Sequence, residues 1–206
     1  MLFRSDALPN YFSVTAEGLA AEGLISEVQS INRISTATYD TLMSVVTIDM
    51  HDTQPGLVSA SSVMADYTQG IYANAEHLYL FQPNYSWGDT RTTVLEFSWA
   101  NGERGIELIG TGVVEGSLLN QFSADEFDGR LRVATTVSGF DANGIWTTTN
   151  RLSVLENIDG SLNEVGAVDG FAAGERIYSV RFDGDRAFVV TFRQDRKSTR
   201  LNSSHT

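Results

Sequence analysis

One text is written three times along this chain, and self-similarity of this length restricts the fold to an array of like units. Val94-Leu95-Glu96 opens one copy and Val154-Leu155-Glu156 the next. A glycine-bearing turn follows each, then Ile109-Gly110-Thr111-Gly112-Val113-Val114-Glu115-Gly116 or Val165-Gly166-Ala167-Val168-Asp169-Gly170. Each copy closes on an aromatic-led segment, FSADEFDGRLRVA from Phe122 to Ala134 or YSVRFDGDRAFVVT from Tyr178 to Thr191. An earlier copy is more divergent: Val45-Val46-Thr47-Ile48-Asp49, then Gly56-Leu57-Val58-Ser59, then the run from Ile71 to Leu80. His77-Leu78, Arg130-Leu131 and Arg186-Ala187 mark one place in the three copies, giving steps of 53 and 56 residues (130 − 77 and 186 − 130).

Within a copy the pattern is strand, turn, strand. Leu131, Val133 and Thr135 alternate with Arg130, Arg132 and Ala134, a period of two. Asn101-Gly102, Asp128-Gly129 and Asp183-Gly184 stand between apolar runs and supply the positive φ angles of tight hairpins. Val, Ile, Thr, Phe and Tyr crowd the runs, as a pleated, half-buried surface favours. Residues 16–31 read as helix or strand, and Gly18 and Gly23 weaken the helix. A four-stranded sheet built from one copy leaves both faces bare, and stacking copies around an axis covers them. The expected fold is therefore all-β: a partial, open β-propeller of about three four-stranded antiparallel blades plus a partial N-terminal blade. A sandwich also strings hairpins together, but its strands do not repeat a whole text. Units are expected at 1–43 (partial), 44–91, 92–149 and 150–194. Propellers close with at least about four blades, so bare apolar faces are expected at both ends of the arc.

Gly116–Thr136 and Gly170–Gln194, preceded by Ser61–Leu80, resemble a bacterial and archaeal family of secreted proteins carrying a β-propeller domain distantly related to WD40 repeats. The likeness runs roughly over residues 40–194, with the segments in the family's order. It implies a secreted or surface-attached parent protein, although Met1–Asp6 has no signal-peptide character. It brings no activity with it.

Residues 195–206 depart from the repeat. The string DRKSTRLNSSH is what a widely used short-read sequencing adapter yields when translated in one frame, so an artefactual, disordered tail is expected there. The chain's single lysine, Lys197, lies in it.

Composition removes several function classes. The net charge is −12, from 26 acids against 14 lysines and arginines. No basic stripe is present to hold a phosphate backbone, so a nucleic-acid partner is not expected, nor an anionic membrane surface. No apolar run is long enough to span a bilayer. Without cysteine there is neither a disulfide framework nor a thiolate metal site.

Candidate chemistry is sparse. His51-Asp52 could orient a base, but no nucleophile elbow accompanies it, and His77 beside Glu76 reads as a surface histidine. Asp125, Glu126 and Asp128, like Asp183 and Asp185, stand at hairpin tips, where turn chemistry alone places acids. Asp141 and Asn143, two apart and followed by Gly144, offer alternating oxygens to calcium, the one cofactor considered, but the closing glutamate of a calcium loop is missing. The segments entering the innermost strand of each blade are Thr68-Gln69, Asn120-Gln121 and Glu175-Arg176. Variable polar residues at one repeated place on a scaffold form a candidate binding ring at the channel mouth. Tyr85, Trp87, Trp99 and Trp146 lie near the longer connections and could anchor a partner or a sugar ring. The expected function is a non-catalytic scaffold binding a protein or an extracellular polymer. The alternative is a fragment of a propeller hydrolase whose catalytic groups lie partly outside this chain.

Overall fold

The computed structural model describes residues 8–15, 18–34, 41–49, 56–86, 89–99 and 105–193. The Asn101-Gly102 turn, His51-Asp52, Trp87 and residues 195–206 lie outside these. Among the described residues are fifteen strands and no α-helix. Strands β1 (Asn10–Thr15) and β2 (Gly18–Leu24) form a hairpin, so the ambiguous stretch after residue 16 contains a strand. Strand β3 (Asn32–Arg33) lies parallel to β5 (Gly56–Ala65), which pairs antiparallel with β4 (Thr41–Asp49).

Two complete four-stranded meanders follow. The first blade is β6 (Gly70–Ala73), β7 (His77–Ser86), β8 (Asp89–Trp99) and β9 (Ile106–Glu115). The second is β10 (Ala124–Phe127), β11 (Arg130–Phe140), β12 (Trp146–Ile158) and β13 (Ser161–Phe171). They join edge to edge where β13 runs parallel to β9, through Ser161–Thr111 and Leu162–Gly112. Gly112 is required there, because a Cβ would lie 2.6 Å from the Leu162 carbonyl oxygen. Strands β14 (Arg176–Asp183) and β15 (Arg186–Phe192) form a final hairpin.

The blades thus run 70–115 and 124–171, flanked by β4–β5 and by β14–β15. The boundaries expected from sequence, at 43/44, 91/92 and 149/150, fall within β4, β8 and β12. A repeat has a period but no intrinsic phase, and only strand pairing supplies one. His77, Arg130 and Arg186 do hold equivalent places, each opening the second strand of its hairpin. The turns differ in detail: Asp128 and Gly129 both take positive φ (53° and 69°). In the last hairpin Asp183 pairs with Arg186, so the two turn residues are Gly184, at φ 55°, and Asp185.

Strand β7 shows why the sequence reads Leu-Tyr-Leu-Phe without a polar interruption. Leu78 and Leu80, with Leu95, Phe97 and Ile106, pack on Ile34, Val63 and Ala65 of the preceding unit. Tyr79 and Phe81, with Val94 and Val114, pack on Ala124, Leu131, Val133, Leu155 and Leu162 of the second blade. A strand buried on both faces loses its alternation. Each such side chain contributes about 1.5–3 kcal/mol of burial. On the far side of the second blade, Ala134 meets Ile177 and Val180 of β14. The Arg132 guanidinium sits over both Phe127 and Phe182, 4.8 and 5.0 Å from the ring centroids. It also donates to the Gly184 carbonyl at 2.7 Å, tying the final hairpin to the second blade. The outer face of that hairpin is bare, with Tyr178, Phe188, Val190 and Phe192 exposed, as are Val46 and Ile48 on β4.

Candidate binding site

Two polar regions lie at opposite ends of the seam between the two complete blades. Tyr79 and Tyr85 on β7 mark them, six residues or about 20 Å apart along the strand.

The first begins at the β6–β7 turn. Asn74 Oδ1 accepts the backbone N–H of Glu76 and His77 at 2.8 and 2.7 Å, which fixes the turn. Asn74 Nδ2 donates to Glu126 Oε2 at 2.8 Å, and the His77 ring Nδ1 lies 2.9 Å from the same oxygen. The Tyr79 hydroxyl stands between two carboxylates, 2.8 Å from Glu96 Oε1 and 3.0 Å from Glu126 Oε2. Asn157 Nδ2 donates to Glu96 Oε2 at 2.6 Å, and Tyr72 Oη accepts from the Glu126 N–H at 3.0 Å. Glu96 is only 4% exposed, so these bonds replace its water. Burial above all, then the Glu96 and Glu126 carboxylates, pushes the Tyr79 hydroxyl far above the usual tyrosine range. Glu76, His77 and Glu126 bring three possible ligand atoms within 4.8 Å of one another, but two of the three are bonded to each other. The chemistry of this end is internal satisfaction.

The second region is where the chain crosses from blade to blade. Gly116, at φ 82°, turns out of β9; a Cβ there would meet the Thr136 carbonyl oxygen at 2.5 Å. Thr92 Oγ1 donates to the Gly116 carbonyl at 2.7 Å, and Ser117 bridges Thr136. The next crossing is held by Asn150, which is fully buried. Its Nδ2 donates to the Phe171 and Glu175 carbonyls, both at 3.2 Å, while its Oδ1 accepts from Thr136 Oγ1 at 3.0 Å. This clamp sets Arg176 at the start of β14.

The crossings and the ends of β7, β11 and β12 enclose a cavity of about 670 Å³. Tyr85, Leu118, Leu119, Phe140, Trp146 and Arg176 supply its ring, apolar and cationic surface, and Gln69, Ser117 and Ser138 add amide and hydroxyl groups. Trp146 is 53% and Tyr85 64% exposed. Phe140 and Trp146 pack in a T-shaped pair, with centroids 5.1 Å apart, and the Tyr85 hydroxyl donates to Gln69 Oε1 at 2.9 Å. Exposed aromatic rings at a cavity suit stacking against a ligand.

Of the six channel-mouth residues, Gln69 and Arg176 meet in this cavity. Asn120 and Gln121 line a smaller neighbouring cavity of about 330 Å³, which Gln69 also borders. Asn120 Oδ1 caps the turn at Gln121–Ser123 by accepting from the Phe122 N–H at 3.0 Å. Thr68 turns inward, where its hydroxyl accepts from Gln82 Nε2 at 3.2 Å, and the Glu175 carboxylate accepts from the Thr191 hydroxyl. Asp141 Oδ1 accepts the N–H of Asn143 and Ile145 at 2.9 and 2.8 Å, so the oxygen available to calcium holds its own loop, with Gly144 at φ 75°. Trp99 sits at the opposite end, its Nε1 donating to the Asn74 carbonyl at 3.3 Å. Sequence reading missed Leu118, Leu119, Ser138 and Phe140. The Leu118-Leu119 pair, apolar within the polar connector Gly116–Gln121, was the available signal.

A family model described as the beta propeller domain matches residues 4–195. The likeness therefore extends ahead of residue 40, into the N-terminal segment. An uncharacterized protein of Archaeoglobus fulgidus is 48% identical over 89 residues, 43% of this chain. An uncharacterized protein of Methanocaldococcus jannaschii is 44% identical over 90 residues, 42% of this chain. The matched stretch spans 13% of the length of each of these relatives.

Proposed function

This chain belongs to the beta propeller domain family, and from that premise we propose that it is a non-catalytic binding scaffold of a secreted or cell-surface protein. Its ligand is a protein or a surface polymer, and the docking site is the cavity at the blade crossings. One observation carries this reading: side chains of two blades and the following hairpin converge on one cavity with exposed aromatic rings and an arginine. Among its lining residues, Ser117, Ser138, Thr90 and Thr136 supply hydroxyls, but no histidine or carboxylate stands with them to activate a nucleophile. Rigid strands holding variable crossings are the arrangement that binding sites favour.

The test is retention on an array of purified surface polysaccharides and envelope proteins, with a parallel screen of p-nitrophenyl esters and glycosides. The reading expects retention of the wild-type chain that Tyr85→Ala with Trp146→Ala removes. Turnover of any of these substrates that falls on substituting a cavity residue would replace it with the hydrolase alternative. Placement at the cell surface is checked by protease accessibility of the parent protein on intact cells.

A further inference from the structure

The cavity inverts the charge of the chain around it. The whole sequence carries 26 acids against 14 lysines and arginines, yet the lining contains Arg176 and no aspartate or glutamate. Among the described residues Arg176 has no carboxylate partner. Three acids near lining residues in sequence are occupied elsewhere. Glu175 accepts from Thr191, Asp141 holds its own loop, and Glu115 faces Arg151, 4.0 Å away, which also binds Glu164 at 2.7 Å. A guanidinium beside exposed aromatic rings is a receptor for a planar anion joined to a body that can stack.

Resting on the scaffold reading above, we propose that this cavity binds an acidic polysaccharide. A uronate carboxylate would meet Arg176, and its pyranose ring would stack on Trp146, with Tyr85 available to the next sugar. Gln69 and Ser117 offer the amide and hydroxyl partners that sugar hydroxyls need. The volume of about 670 Å³ suits a short oligosaccharide segment. An acidic peptide is the less favoured occupant: strand addition needs a row of free backbone groups and acidic-motif recognition a cluster of arginines, whereas this wall offers aromatic rings, side-chain polar groups and one arginine. The overall negative charge does not forbid a polyanion. At physiological salt, charges more than about 8 Å away are largely screened, so the local cation decides.

The experiment is titration calorimetry of the whole chain with polygalacturonate, its fully methyl-esterified form and poly-glutamate. Saturable binding of polygalacturonate is expected, weakened tenfold or more by Arg176→Gln and by Trp146→Ala. Arg186→Gln, at an exposed arginine that opens β15, should leave it unchanged. Circular dichroism confirms that each variant is folded. Equal affinity for the esterified polymer overturns the carboxylate assignment, and tighter binding of poly-glutamate replaces the glycan with an acidic peptide. An equal loss in Arg186→Gln reduces the effect to diffuse charge and overturns the site. If polygalacturonate does not bind while array retention still depends on Trp146, only the ligand class fails. If both are absent, the scaffold reading fails with it.

Discussion

The two ends of one seam are built from the same four-stranded units and solve opposite problems. At the Tyr79 end, both Glu96 oxygens and Glu126 Oε2 accept hydrogen bonds from neighbouring side chains, and Glu96 is withdrawn from water. At the Trp146 end, the backbone is held just as firmly, by Asn150 and Thr92, but the cavity has exposed rings in Tyr85 and Trp146 and a guanidinium without a carboxylate partner among the described residues. The difference separates polar residues that serve the fold from those available to a ligand, a distinction that residue type alone does not make. Glu126 lies next to a hairpin tip and is spent internally, whereas Arg176 is just as polar and remains open.

That contrast can be broken by mutation. Tyr79→Ala should cost most, about 3–5 kcal/mol in denaturant unfolding, from the lost ring volume; a cost below about 1 kcal/mol would show that the closed end is not structural. Gly110→Ala should follow at about 1–3 kcal/mol, the range for overpacking. Its Cβ would lie 2.5 Å from Asn157 Nδ2 and 2.6 Å from Glu96 Oε2, both already committed. A neutral result would mean that those side chains swing free.

Tyr79→Phe should be milder, about 1 kcal/mol for one hydrogen bond, with a distinctive pH signature. The hydroxyl's folded pKa is raised by burial beside Glu96 and Glu126. This contribution is therefore complete below about pH 10, the ordinary tyrosine value, and is lost as pH climbs from there toward the folded pKa. Melting temperatures from pH 8 to 11 should fall more steeply for wild type than for Tyr79→Phe, and parallel curves would contradict the arrangement. Trp146→Ala and Arg176→Gln should be the smallest, within about 0.5 kcal/mol of wild type in stability while ligand retention falls. Destabilisation by more than about 2 kcal/mol would place the open end in the fold after all.

The architecture was legible because it is written locally. Hairpin signals, alternation and the steps of 53 and 56 residues each depend on short spans of chain, and the strands formed where they pointed. The phase of the repeat was not legible, since a periodic text can be cut anywhere. Gln69 and Arg176, singled out because equivalence between copies marks the entry to each innermost strand, both line the cavity. Phe140, Ser138 and the Leu118-Leu119 pair reach the cavity only after the blades stack. The closed end was hidden for a stronger reason: Tyr79 meets Glu126 across 47 residues of chain and Glu96 meets Asn157 across 61. Nothing in Val-Leu-Glu announces that Glu96 is buried while its counterpart Glu156 reaches outward to Arg130 at 3.2 Å.

The burial of β7 on both faces also sets an order of events during synthesis. Leu78 and Leu80 find their partners in chain that the ribosome has already released, but Tyr79 and Phe81 must wait for Leu131, Val133, Leu155 and Leu162. For that interval the newest blade travels with one wet, sticky side, and each completed blade hands the exposure to its successor. The nascent protein therefore grows like masonry laid course by course, its leading face unfinished until the next blade arrives. A chain ending midway through β12 should be more prone to aggregation than one ending after β13, because only the longer chain supplies Leu155 and Leu162 together to cover the first blade.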